Sequence, residues 1–152
     1  MSTFRAPWST TVKLFTVAIS AALLAVVAGT NAVVAAVVAA IVMTTALFAV
    51  RGYSVDEQHV TVHRLIGAKR FSLDAVRSAE HRPGITGGSW RLFGVGGLFG
   101  SVGVFHNKAL GRYHAFTTDA ARSVVLDLGD RTVVVTPDDP VRFVEAVEEG
   151  RG

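Results

Sequence analysis

The sequence predicts a mixed, mainly β chain in two parts, an apolar helical hairpin followed by an antiparallel strand-rich domain that one C-terminal helix closes. Three observations predict it. Leu14–Val50 is a run of 37 residues without a charge. Beyond Arg51 apolar and polar residues alternate, with the two-residue period of a half-buried strand. After Pro140 apolar residues recur every three positions, as on one face of a helix. Half of the 152 residues are hydrophobic, 18% are charged and the mean hydropathy is +0.42. Such a chain can bury ample apolar surface, which excludes disorder. The absence of cysteine excludes a disulfide framework and a thiolate zinc site.

As one straight helix the uncharged run would reach ~55 Å, against a hydrocarbon core of ~30 Å. Two passes fit better, over Val12–Ala28 and Ala32–Val50, broken at Gly29-Thr30-Asn31. Small residues recur at four-residue spacing, as in Ala18/Ala22, Ala32/Ala36/Ala40 and Ala35/Ala39. That spacing suits close helix packing in lipid, between the two helices or between subunits, although abundant Ala and Val produce such matches by chance. A secretory signal peptide is the rival for the first segment, but Val26 is a poor residue for cleavage after Ala28, and a second apolar segment follows at once. Arg5, Lys13 and Arg51 flank the helices while Gly29-Thr30-Asn31 carries no charge. The positive-inside rule therefore places both termini in the cytoplasm, with the hairpin across the membrane. The expected organisation is a cytoplasmic tail over 1–11, the hairpin over 12–50 and a cytoplasmic domain over 51–152.

The domain reads as about seven or eight strands. They are Tyr53–Val55, His59–His63, Lys69–Leu73, Val76–His81, Ser101–His106, Tyr113–Thr117, Val124–Leu128 and Thr132–Thr136, with a tight hairpin at Gly129-Asp130. At the end, Asp139 suits an N-cap and Pro140 the first helical position. Val141, Val144 and Val147 would then face the sheet, with Glu145, Glu148 and Glu149 in water.

Several runs carry a family resemblance: Leu92-Phe93-Gly94-Val95-Gly96-Gly97-Leu98-Phe99-Gly100, Gly103-Val104-Phe105-His106-Asn107, Leu110-Gly111-Arg112-Tyr113, and Val135-Thr136-Pro137-Asp138-Asp139-Pro140 before Phe143. Over roughly Arg51–Glu149 the chain resembles the bacterial pleckstrin-homology-like (PH-like) domains of small membrane proteins. The resemblance implies a seven-stranded, partly open antiparallel barrel capped by a C-terminal helix, often accompanied by an N-terminal helix pair. It implies no catalytic residues and no particular ligand.

Eight glycines lie between Gly84 and Gly103. They do not make a dinucleotide fingerprint, because the third glycine is displaced and no helix pattern follows. Either the segment is a bent, bulged part of the barrel, or Phe93, Leu98 and Phe99 form a hydrophobic contact loop for lipid or a partner. His59 and His63 share a strand face, yet ~13 Å separates them, too far for one zinc ion. No metal or cofactor is expected. The nucleophile motif Gly-x-Ser-x-Gly is missing, so the chain is read as non-enzymatic.

Charge is segregated. Arg64 to Arg112 holds eight basic residues against two acids, a balance of +6, and Tyr113 to Gly152 holds four against eight, a balance of −4. Arg64, Lys69 and Arg70 around the first hairpin are the candidates for binding anionic lipid. The plainer reading is a solvated face. Dispersed basic residues without stacking aromatics argue against nucleic acid. The first functional reading is an integral membrane protein whose PH-like domain is an interaction module for a protein partner or anionic lipid. The alternatives are a structural homo-oligomer and, from another class, a membrane enzyme using surface His and Asp residues.

Overall fold

The computed structural model describes residues 1–97 and 99–152. It opens with a strand that the sequence reading assigned to a tail. β1 (Ser2–Arg5) leads into the apolar helices α1 (Thr10–Ala28) and α2 (Ala32–Leu47), and β2 (Val50–Val55) follows directly. β1 and β2 pair antiparallel, Phe4 opposite Tyr53, so the chain leaves and rejoins the same sheet around the helices. Residues 1–11 are therefore not a free tail: Phe4 is 7% exposed, and burying it holds the strand in place.

The helix boundaries follow from capping chemistry. Ser9 Oγ accepts the Val12 N–H at 3.1 Å to start α1, Gly29 ends it, and Asn31 Oδ1 accepts the Val34 N–H at 3.1 Å to start α2. Each such cap stabilises its helix by about 1 kcal/mol. α2 stops at Leu47, three residues short of the expected Val50, because Val50 is taken into β2 opposite Arg64. Among the described residues α1 is the one helix long and apolar enough to cross a membrane; α2 carries no charge but is shorter. Neither helix buries a residue within the fold.

Then come β3 (His59–Arg64), β4 (Ala68–Ser72), β5 (Ser78–His81), β6 (Trp90–Gly97), β7 (Gly100–Asn107), β8 (Gly111–Thr117), β9 (Val124–Asp127), β10 (Thr132–Val135) and α3 (Pro140–Arg151). They form two sheets, ordered β1-β2-β3-β4 and β5-β9-β10-β8-β7-β6. The expectation of a wholly antiparallel arrangement is corrected at one place: β10 runs parallel to β8, Val133 opposite His114. A parallel neighbour needs a crossover, and here the short helical turn Ala120–Arg122 with β9 provides it.

Of the two readings of the glycine-rich segment, the bent part of the sheet is the one found, as β6: Gly94 and Gly103 sit opposite each other, both at positive φ, where a side chain on either would strike backbone of the facing strand. A bulge between Arg91 and Phe93 adds to the bend.

The main core lies between the sheets, where Tyr53, Val60, Val62 and Phe71 meet Phe116, Val124, Leu126, Val133 and Val135. α3 closes one end, N-capped by Asp139, whose carboxylate accepts the Arg142 N–H. Its buried stripe is Phe143 and Val147, both 0% exposed, with Val144 partly buried and Val141 58% exposed. The expected stripe thus holds at Val147 and partly at Val144 but not at Val141, and Phe143 takes the other buried place. A second cluster, Phe105, Tyr113, Ala115, Val125 and Val134, lies on the other face of the larger sheet under Ile85 and Leu110.

Candidate functional site

Two turns of the domain are tied to the apolar helices. In the β3–β4 turn the Ile66 N–H donates to the Leu47 carbonyl at 3.0 Å, at the last residue of α2. In the β6–β7 turn the Phe99 N–H donates to Thr16 Oγ1 at 3.4 Å, and the Phe99 ring meets Trp8 edge to face, with centroids 5.6 Å apart. Both turns stand beside the helices where these join the domain.

The residues at those turns are apolar and open. Leu65 and Ile66 are 50% and 54% exposed, Phe48 is 40% exposed, and along the edge strand β6 Trp90, Leu92 and Phe93 are 76%, 57% and 78% exposed. Single exposed apolar residues are ordinary; Leu65, Ile66 and Phe48 differ in standing together where α2 joins the domain. Of the contact loop read from the sequence, Phe93 is open, Phe99 packs on Trp8, and Leu98 lies outside the described residues.

The basic candidates do not converge. The Arg64 guanidinium stacks over the Phe48 ring, 5.6 Å from its centroid, and its Nε is buried without a hydrogen-bond partner among the described residues. Stacking rather than hydrogen bonding therefore holds this side chain at the end of α2. Lys69 and Arg70 are neighbours on β4 and so point to opposite faces. Lys69 shares the face of Phe71, and Arg70 is near enough to Asp56 to help hold that carboxyl low, after the Gln58 and His59 amides.

Lys69 instead belongs to a group the sequence reading missed. Phe71 of one sheet meets Phe116 of the other with ring centroids 6.0 Å apart. Two residues before each phenylalanine, on the same faces, stand Lys69 and His114. Arg112 precedes His114 by two residues along β8, opposite His106, and Arg131 adjoins β10. The His114 imidazole is held below its ordinary range, first by burial and then by the positive fields of Arg131, Arg112 and Lys69, with Asp130 acting the other way. The four come from three separate stretches of the chain, and no local motif announces them.

The histidine pair on β3 has ordinary partners: His63 Nε2 lies 2.8 Å from Ser54 Oγ, and His59 Nδ1 lies 3.8 Å from Asp56. Among the described residues no three His, Asp or Glu side chains gather as metal ligands would.

A family model described as the bacterial PH domain matches residues 51–150. No curated protein and no solved structure matches the chain. The matched span omits β1, which the structure adds to the domain's smaller sheet.

Proposed function

From the chain's membership of the bacterial PH domain family, we propose that it is a non-enzymatic, integral membrane interaction module, seated on the bilayer by its two helix-bound turns. The observation that carries this reading is the bonding of the β3–β4 turn to the end of α2, which puts exposed Leu65 and Ile66 beside an apolar helix.

The pairing of β1 with β2 supports a two-pass hairpin, since it keeps the residues before α1 and after α2 in one sheet, on one side of the membrane. Arg5, Lys13 and Arg51 favour the cytoplasmic side. At ~1.5 Å per residue α1 spans ~29 Å and α2 only ~24 Å, less than the ~30 Å core. A short span draws its flanking residues to the surface, which here brings Leu65, Ile66 and Phe48 to the headgroups. Arg64, Lys69 and Arg70 around that turn would then attract anionic lipid at ~1 kcal/mol per charge. Uncovered small-residue faces on both helices favour self-association as the second reading, which mass measurement of the detergent-extracted protein tests.

Reporters fused at either terminus and inserted at Thr30 test the first reading. Both termini should report the cytoplasm and Thr30 the opposite side. Termini on opposite sides would overturn the two-pass arrangement and the seating with it.

A further inference from the structure

Between the first turn of α1 and the outer face of β7 and β8 lies a cavity of about 500 Å³, within the ~300–1,000 Å³ range of small-ligand sites. Its floor is the stacked pair Phe105 and Tyr113, ring centroids 6.1 Å apart at 28°. Above the floor stand the hydroxyls of Thr11, Thr86, Ser101 and Thr117. Nearby, Ser9 Oγ caps α1, Tyr113 donates to Ser89 Oγ at 2.8 Å, and Thr118 Oγ1 donates to the Pro7 carbonyl at 2.6 Å. Those groups are bonded within the fold, whereas the first four hydroxyls have no partner among the described residues. Thr117 is the telling one: it is 7% exposed and lines the cavity. Its hydroxyl opens onto the cavity rather than being sealed in the core, so an occupant there can exchange a hydrogen bond with it.

Charge narrows the occupant. Among the described residues no cation lines the cavity, and the one carboxylate, Asp119, already accepts the Ala121 N–H at 3.1 Å and pairs with Arg122 at 3.5 Å. A phosphate or carboxylate would enter with no counter-charge, and a cation would lose water without a free anion to meet it. An uncharged molecule carrying several hydroxyls on an apolar ring face suits both the aromatic floor and the free hydroxyls, each of which donates and accepts.

We propose that this cavity binds an uncharged polyhydroxylated ring, a sugar, either free or as the headgroup of a glycolipid. The site itself needs no membrane. Only the headgroup source rests on the seating proposed above, because α1 forms one wall of the cavity and would bring its mouth to the headgroup layer.

The test uses the full chain in dodecylphosphocholine micelles, a detergent without sugar, with the methyl resonances of Ala115, Ala120 and Ala121 as reporters. One arm adds methyl glucoside and maltose; the other dopes the micelles with monoglucosyl diacylglycerol; a third dopes them with phosphatidylglycerol. Saturable shifts with free sugar, glycolipid or both, and none with phosphatidylglycerol, support the site and assign its source. Thr117→Val keeps the side chain's shape and should weaken binding roughly 2- to 10-fold, the effect of one hydrogen bond. Ser101→Ala should weaken it similarly. Silence in both sugar arms, equal binding by Thr117→Val and Ser101→Ala, or shifts with phosphatidylglycerol alone would overturn the proposal. Failure of the topology reporters would leave the free-sugar arm intact, so the two readings fail separately.

Discussion

Phe4 and Phe143 meet edge to face with ring centroids 5.1 Å apart, one from the first strand and the other from the last helix. The contact makes the two ends of the chain a single packed unit, and both side chains belong to the main core. Phe4→Ala should therefore destabilise the domain by about 3–5 kcal/mol, the usual cost of emptying a buried phenylalanine site. Thr3→Ala, at an exposed position, should change stability by less than about 0.5 kcal/mol. Guanidinium unfolding of the full chain in detergent compares them. For the same reason residues 51–152 alone should unfold at lower denaturant than the full chain.

On α3, Val147→Asp should cost about 2–4 kcal/mol or more, because Val147 is fully buried and the new carboxylate would have no partner. Val141→Asp, at a position 58% exposed, should stay within about 0.5 kcal/mol. Equal losses in thermal unfolding would mean that the helix packs on another face.

These two sites also show where the sequence was readable. Asp139-Pro140 announced the start of α3, and Gly29-Thr30-Asn31 the break between the helices, because caps and turns depend on local chemistry alone. The α3 stripe was half legible: the valine spacing found Val147 but passed over Phe143, which lies one position before Val144 on the same side. β1 was not legible, since Ser2-Thr3-Phe4-Arg5 offers one apolar residue and its partner strand lies beyond both helices. β6 was legible as a bent part of the sheet but without its bounds, since glycines carry little strand preference, and the parallel β8–β10 pair was hidden because pairing direction leaves no local trace. The basic group at Lys69, Arg112, His114 and Arg131 exists only once the two sheets are packed, so charge counting found the segregation but not the cluster.

Alkaline pH should act through Tyr53. Its hydroxyl donates to the Phe116 carbonyl at 2.6 Å and accepts the Thr136 N–H at 3.2 Å, and burial pushes the phenol up from 10.0 to about 12, against smaller lowering from its bonds to Thr136. A folded value above the unfolded one means that the unfolded state ionises first. The contribution is fully present below pH 10 and is lost as pH rises toward about 12. Tyr53→Phe should lower stability at neutral pH by about 1–3 kcal/mol, through the unpaired groups it leaves, and should flatten the decline above pH 10. Denaturant midpoints measured from pH 8 to 12 decide it; an unchanged alkaline slope in the variant would assign the decline to other groups.

Seating on the bilayer makes the last forecast, and Trp8 and Trp90 are the chain's two built-in probes. Trp8 packs on Phe99 at the start of α1, while Trp90 is open on the β6 edge. In a Trp90→Phe variant reconstituted into bilayers, lipids brominated near the carbonyl level should quench Trp8 strongly. Apolar insertion is not screened by salt, so Leu65→Asp with Ile66→Asp should reduce that quenching at any ionic strength. Neutralising Arg64, Lys69 and Arg70 together should act differently. It should reduce the extra quenching gained in anionic over neutral bilayers, corresponding to ~3 kcal/mol at ~1 kcal/mol per charge. That loss should vanish near 1 M salt, where the screening length falls to ~3 Å. Because Lys69 stands with Arg112, His114 and Arg131 rather than with Arg64, the double change Arg64→Gln, Arg70→Gln should retain part of the anionic effect, which Lys69→Gln then removes. Trp8 unquenched at the carbonyl level would mean that the domain stands away from the membrane on its helices, and the exposed turns would then be surfaces for a protein partner.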